Sequence, residues 1–126
     1  MHFLELDDVI EIHTGQITNY GGSDGLRDRG LLQSALAQPH ASFGGHFLHA
    51  DVYQMAAAYL FHIVSNHPFV DGNKRVGLEC SLVFLELNEI QLDATDEQLV
   101  ELTLAVAKGE SSKQNIAQFF RDNSKT

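Results

Sequence analysis

Two strongly apolar stretches separated by a short polar loop constrain this chain more than any other feature. Val52, Met55, Ala56, Tyr59, Leu60, Ile63 and Val64 recur at the spacing of one helix face. Val76, Leu78, Cys80, Leu82, Val83, Phe84, Leu85 and Leu87 follow with few polar interruptions. A helix that is apolar on most sides has to be covered by others, so this second stretch is expected in the middle of a bundle. Between the two lies His67-Pro68-Phe69-Val70-Asp71-Gly72-Asn73-Lys74-Arg75. The proline disfavours helical geometry just before it, so the first helix is expected to stop near Asn66. The second is expected to start near Asn73.

The rest of the chain reads as shorter helices that supply the cover. Asp7 and Asp8 favour the start of a helix carrying Val9, Ile10, His13, Ile17 and Tyr20, and Gly21-Gly22 end it. Asp28 is placed to cap a helix with Leu31, Leu32, Ala35 and Leu36 facing inward, ended by Pro39. Ala41 to Asp51 reads as a glycine-containing loop, either a mobile flap or a plain connector. Ile90 to Leu92 are expected to be briefly extended. Thr95 with Gln98, and Ser111 with Gln114, have capping-box spacing. They precede Leu99, Leu102, Thr103 and Val106, closed by Gly109, and then Ile116, Ala117, Phe119 and Phe120. The expectation is one all-α domain over residues 1–126, a compact bundle of about six helices with a central buried helix.

Charge narrows the function. The chain has a formal net charge of −9, which argues against sequence-independent nucleic-acid binding, since phosphate backbones demand clustered Lys and Arg. Lys and Arg are absent from Gly30 through Asn73 and from Val76 through Ala107, so Lys74 and Arg75 form an isolated positive spot. That spot suits one small anion better than a polymer. The lone Cys80 sits in an apolar stretch, so no internal disulfide is possible and a cytosolic, reducing home is expected. No apolar run is long enough to span a bilayer, and no secretory leader is evident. No membrane partner is expected.

Cations at a helix N-terminus are unfavourable by roughly 0.3–1 kcal/mol each. Lys74 and Arg75 make sense there if an anion occupies the site. The free N–H groups of the helix start, a close backbone approach at Gly72, a bidentate Arg and a compact Lys all suit phosphate. Asp71 would repel phosphate unless a cation lay between, and Mg²⁺ takes one or two carboxylates together with phosphate oxygens. Histidine exchanges protons near neutral pH, so His67 can take a proton from an attacking hydroxyl. Asn73 either bonds a phosphate oxygen or holds the loop, and Phe69 is an anchor for it. The competing view makes His67-Pro68 a helix stop, Asp71-Gly72 a turn, and Lys74 and Arg75 partners of Glu79 or other acids. His40, His46, His49, His62 and His67 lack a zinc spacing. His13 and His62 read as packed histidines, and Cys80 as core.

The sequence from His67 to Arg75 resembles the signature of the Fic/Doc superfamily. Tyr20-Gly21-Gly22, Gly25 to Asp28, Leu31 to Leu36 and Phe84 to Asn88 resemble its Doc (death-on-curing) branch. The resemblance implies the helical Fic core, with ATP and Mg²⁺ as cofactors. Fic enzymes move AMP from ATP onto a protein hydroxyl. The Doc branch moves the terminal phosphate onto a threonine of elongation factor Tu, stalls translation, and is restrained by a Phd-like antitoxin. AMP-transferring members usually have Gly at the position of Lys74 and a second Arg at that of Leu78, and both departures match the Doc pattern. By position, His67 would be the general base and Asp71 the Mg²⁺ ligand. Phe69, Gly72, Asn73, Lys74 and Arg75 would form the cofactor-binding loop, with Lys74 and Arg75 also acting in catalysis. AMP transfer, or a module that binds nucleotide or antitoxin without turnover, are the alternatives.

Overall fold

The apolar stretch from Val52 forms the helix against which most others lean. A computed structural model describes residues 1–125. Its elements, in order, are α1 (Leu6–Tyr20), α2 (Arg29–Ala37), two short strands β1 (Ser42–Phe43) and β2 (His46–Phe47), α3 (Val52–Asn66), α4 (Asn73–Leu87), α5 (Asp96–Ala107) and α6 (Lys113–Asp122). The architecture is the expected all-α bundle of six helices. None of the described helices is long and apolar enough to cross a membrane.

α3 starts where Asp51 accepts a hydrogen bond from the Gln54 N–H at 2.9 Å. Such a cap stabilises a helix by about 1 kcal/mol. Met55 through Leu60 and Ile63 are all buried. α3 packs on α2, α4, α5 and α6, whereas α4 packs on α1, α3 and α5. The most enclosed helix is therefore α3, with α4 beside it. The apolar run of α4 pointed to the reverse, but Val83 is half-buried and Leu87 is 48 % exposed. The physical reason is side-chain size. Ala56, Ala57 and Ala58 let neighbours approach α3 from several sides. At the α3–α4 contact the small residue is Gly77, where a Cβ would lie 2.9 Å from Val64 Cγ2. That close seam fixes the two helix ends that bracket the polar loop.

The core runs through all six helices, from Val9 and Leu32 to Tyr59, Phe84, Val106, Ile116 and Phe120. Each large apolar side chain so buried contributes about 1.5–3 kcal/mol. The Tyr59 hydroxyl accepts a hydrogen bond from the buried Leu4 N–H at 2.9 Å, which draws the N-terminal segment over the core. Cys80 is fully buried, and burial pushes its thiol pKa up, so it is core as expected.

The helix ends follow local chemistry. Asp28 caps α2 through the Leu31 N–H, and Thr95 and Gln98 form the expected reciprocal box at α5. At α1 the Asp8 carboxylate accepts from the Glu5 N–H at 2.8 Å, one residue before the helix. At α6 the cap is Ser112, accepting from the Asn115 N–H at 3.1 Å, and not Ser111. Adjacent serines offer two registers, and packing of Ile116 and Phe120 selects the second. The Ala41–Asp51 loop contains a hairpin, with Ser42 paired to Phe47 and Phe43 to His46 across Gly44-Gly45. Leu92 pairs with Ser124, so the extended stretch after α4 is real and ties down the C-terminal residues.

Candidate active site

His67 opens the loop in the left-handed conformation, φ 52° and ψ 53°, with its N–H donating to the Ile63 carbonyl at 3.1 Å. For a residue with a Cβ this costs on the order of 1 kcal/mol or more, so the surroundings must impose it. They do so from the α1–α2 connection. Arg27 Nε donates to the His67 carbonyl at 2.7 Å, and Nη2 to the Asn66 carbonyl at 3.1 Å. One guanidinium thus satisfies the last carbonyls of α3 and places a cation at the negative end of its dipole. The backbone N–H groups of Arg27 and Asp28 both donate to the Pro68 carbonyl, at 2.7 and 2.9 Å, and the Val70 N–H donates to the Gly25 carbonyl at 3.0 Å.

The second half of the loop is held from α1. The His13 ring is 2 % exposed and lies parallel to Phe69, with centroids 3.9 Å apart. Its Nε2 donates to the Asp71 carbonyl at 2.9 Å, while Nδ1 lies 3.6 Å from the Asp24 carboxylate. Asn73 bonds Phe69 twice, accepting from its N–H and donating to its carbonyl, each at 2.9 Å. The Asn73 side chain therefore holds the loop, the second of the two roles open to it. Phe69 is 1 % exposed and does not border the cleft, so its place in the cofactor-binding set is corrected to an internal anchor stacked on His13. An aromatic beside a polar loop reads equally as wall or anchor, and the α1 histidine that decides the matter lies far away in sequence.

What the loop presents is different. His67, Asp71, Gly72, Asn73, Lys74 and Arg75 border one cleft of about 620 Å³, completed by residues that include Tyr20, Gly21, Gly22, Val64 and Ala107. That volume is ordinary for a small-ligand site. A hollow of about 700 Å³ between Phe3, Leu36, His40 and Phe47 is larger but has no Lys or Arg in its lining. In the cleft, the Asp71 carboxylate accepts from the Ser23 N–H at 3.1 Å and the Gly72 N–H at 2.8 Å. Those two backbone donors, helped by Arg75 and His13, hold its carboxyl below the usual carboxylate range. A Cβ on Gly22, which is at φ 114°, would sit 2.7 Å from the Asp71 carboxylate oxygen, so a side chain there would be strained and would push that carboxylate aside.

Gly72, at φ 79°, precedes α4 and offers no side chain to cap it. The first intrahelical bond runs from the Val76 N–H to the Gly72 carbonyl at 2.9 Å. The N–H groups of Asn73, Lys74 and Arg75 are left without intrahelical acceptors, and with the dipole they make an anion site. Lys74 and Arg75 are both exposed, and among the described residues neither forms an ion pair. The guanidinium of Arg75 lies 5.2 Å from the centroid of the Tyr20 ring. The competing view, in which these cations serve Glu79 or other acids, is not what the fold builds.

Among the described residues Asp71 is the one carboxylate bordering the cleft. Among the described residues no group of three or more metal-ligating side chains exists, the scattered histidines included. A charged, exposed carboxylate beside an anion site fits Mg²⁺, whose remaining ligands are waters and the oxygens of a bound phosphate. Residue-by-residue reading missed His13, Gly22, Ser23, Arg27 and Tyr20, all of which shape or border the site. For Tyr20, Gly22 and Ser23 the signal was the glycine-rich run from Gly21 to Gly25, whereas nothing local marked His13 or Arg27.

The model of the Fic/DOC family matches residues 3–85 of the chain. The chain is 31 % identical over 121 residues to a protein named protein kinase doc from Escherichia phage P1, covering 96 % of this chain and 94 % of that one. It is 38 % identical over 92 residues to a protein named toxin Doc from Mycolicibacterium smegmatis, covering 73 % of this chain and 68 % of that one.

Proposed function

The chain belongs to the Fic/DOC family, and we propose that it is a Doc-type toxin that transfers the γ-phosphate of ATP to a protein hydroxyl. The observation that carries this reading is the single cleft in which His67, Asp71, Lys74 and Arg75 meet the uncapped start of α4, with neither cation in an ion pair among the described residues. The names of its two relatives, a kinase and a toxin, support the same reading.

In this mechanism the N–H groups of Asn73, Lys74 and Arg75 and the two cationic side chains grip the triphosphate and gather the charge that spreads over its oxygens. His67 accepts the proton of the target hydroxyl as that oxygen bonds to the γ-phosphorus. The bond from the γ-phosphorus to the bridging oxygen breaks, and ADP leaves. Asp71 would hold Mg²⁺, which when bound would supply charge neutralisation at the phosphates. Arg27, His13 and Asn73 keep the loop from moving during turnover, so little reorganisation is needed. Lys74 fills space near the start of α4, and Leu78 supplies no second cation. Both favour presenting the terminal phosphate rather than the α-phosphate to the hydroxyl. The target assigned is a threonine of elongation factor Tu, the consequence a block of translation in the cytoplasm, and the restraining partner a Phd-like antitoxin.

ATP labelled at the γ-phosphate, incubated with the chain and elongation factor Tu, is expected to label the factor, whereas ATP labelled at the α-phosphate is not. Label arriving only from the α position would reassign the chain to AMP transfer. Toxicity that survives His67→Ala would leave a binding module.

A further inference from the structure

Arg75 lies against an aromatic ring at the cleft edge and forms no ion pair among the described residues. Tyr20 is the last residue of α1, stands 65 % exposed, and carries the guanidinium at 5.2 Å. A ring that exposed contributes little to the core, so its place at the cleft edge calls for another reason. A carboxylate there would hold Arg75 more firmly, but it would neutralise the cation and repel an incoming anion. The π face attracts the guanidinium and leaves its charge and its N–H donors for a ligand. Arg121 shows the other arrangement: it has both a ring, Tyr53 at 5.4 Å, and an acid, Asp51 at 2.8 Å. Arg75 has the ring and the more distant charge of Asp71, with no ion pair among the described residues.

We propose that Tyr20 is a positioning residue that pre-sets the Arg75 guanidinium for a polyphosphate, acting on the anion only through that arginine. This rests on reading the cleft as a nucleotide site. The alternative role for an exposed ring, a platform for the nucleobase, makes a different prediction.

Calorimetric titration with MgATP and with magnesium tripolyphosphate, which has no base, separates the two. Tyr20→Leu is expected to weaken both ligands by the same factor, about two- to fivefold. Tyr20→Phe retains the ring and is expected to restore both. In an Arg75→Ala background Tyr20→Leu is expected to add nothing. In the free protein, the NMR shift of the Arg75 Nε–H is expected to change in Tyr20→Leu and to be preserved in Tyr20→Phe. A loss confined to ATP, a loss that persists without Arg75, or an Nε–H shift that ignores the ring would each overturn the proposal. If the wild-type chain binds both anions and Tyr20→Leu binds them equally well, this proposal fails alone. If the wild type binds neither, the nucleotide reading fails and takes this proposal with it.

Discussion

Among the described residues Lys74 and Arg75, at the start of α4, form no ion pair or side-chain hydrogen bond, whereas Lys113 and Arg121 on α6 are each tied to the fold. Lys113 Nζ donates to His62 Nε2 at 3.1 Å and sits over the Phe61 ring. Arg121 donates to the Asp51 carboxylate, bonds Gln118 and lies over Tyr53. Among the described residues only Arg121 of the lysines and arginines is in an ion pair, so what sets Lys74 and Arg75 apart is that they are neighbours bordering one cleft. The backbone beneath them shows the opposite bias. The loop from His67 to Gly72 is densely hydrogen-bonded, to backbone groups, to the buried side chains of His13 and Asn73 and to the exposed Arg27. The fold thus spends its polar contacts on α6 to bind helix to helix, and at the loop to hold a frame whose charged tips remain available. Site and scaffold differ in which part of the residue is satisfied.

That contrast breaks most clearly at His67. Its side chain is exposed and has no hydrogen bond among the described contacts, while its carbonyl and N–H are held. His67→Ala is expected to lower phosphate transfer by about 10²–10⁴-fold, the usual contribution of a general base. The melting temperature should stay close to that of the wild type. Circular dichroism melts beside a γ-phosphate transfer assay decide it. A large loss of stability would move His67 from site to scaffold.

A second test asks whether the frame matters to the tips. Gly22 has φ 114°, and a Cβ there would collide with the Asp71 carboxylate. Gly22→Ala is expected to displace Asp71 and to slow transfer by up to about 10²-fold, the effect of misplacing a catalytic group by an ångström. Excess Mg²⁺ should rescue part of that loss. Transfer at the wild-type rate with wild-type Mg²⁺ dependence would detach the frame from the chemistry.

The same contrast explains what could be read in the sequence. The tips were legible, because His67, Asp71, Lys74 and Arg75 lie within nine residues and their chemistry clashes with a helix start. The ends of α3 and α4 were legible from Pro68 and from apolar spacing. The frame was not, because it is built across long sequence separations. Arg27 to His67 spans 40 residues and His13 to Asp71 spans 58. Nothing in the periodicity of α1 separates a histidine that stacks on Phe69 from any other packed one. Choices of register were equally hidden, as with Ser112 over Ser111, since the deciding contacts are tertiary. The prominence of α3 over α4 depended on side-chain volume, which an apolar count ignores.

On the scaffold side the expected weak point is His62. Burial, then the charge of Lys113 and the nearby His49, lower its pKa from 6.5 to about 4. The folded state therefore binds fewer protons than the unfolded one between those values. Stability is full above about pH 6.5 and is lost as pH falls toward 4. With the group only about half buried, the loss after solvent screening is on the order of 1–2 kcal/mol. Protonation also places like charges at the His62–Lys113 contact, where α6 joins α3. Asp71, held below the usual carboxylate range, stays ionised across that window. Urea midpoints measured from pH 7.5 to 4.5 should fall in the wild type and fall less in His62→Gln, and a parallel decline in both would clear His62.

The smallest expected effect concerns Arg121. Its ion pair with Asp51 is 2.8 Å long, but both side chains are more than a third exposed. Exposed pairs contribute about 0.2–1 kcal/mol, and Arg121→Gln is expected to cost no more than that. Asp51→Ala should cost more, about 1–2 kcal/mol, because the same carboxylate caps α3 through the Gln54 N–H. Neither change should alter phosphate transfer at saturating ATP. Chemical denaturation gives both values, and their difference isolates the cap from the pair. If Arg121→Gln slowed transfer while leaving stability intact, α6 would belong with the site, and bordering the cleft would no longer mark which cations of this chain face a ligand.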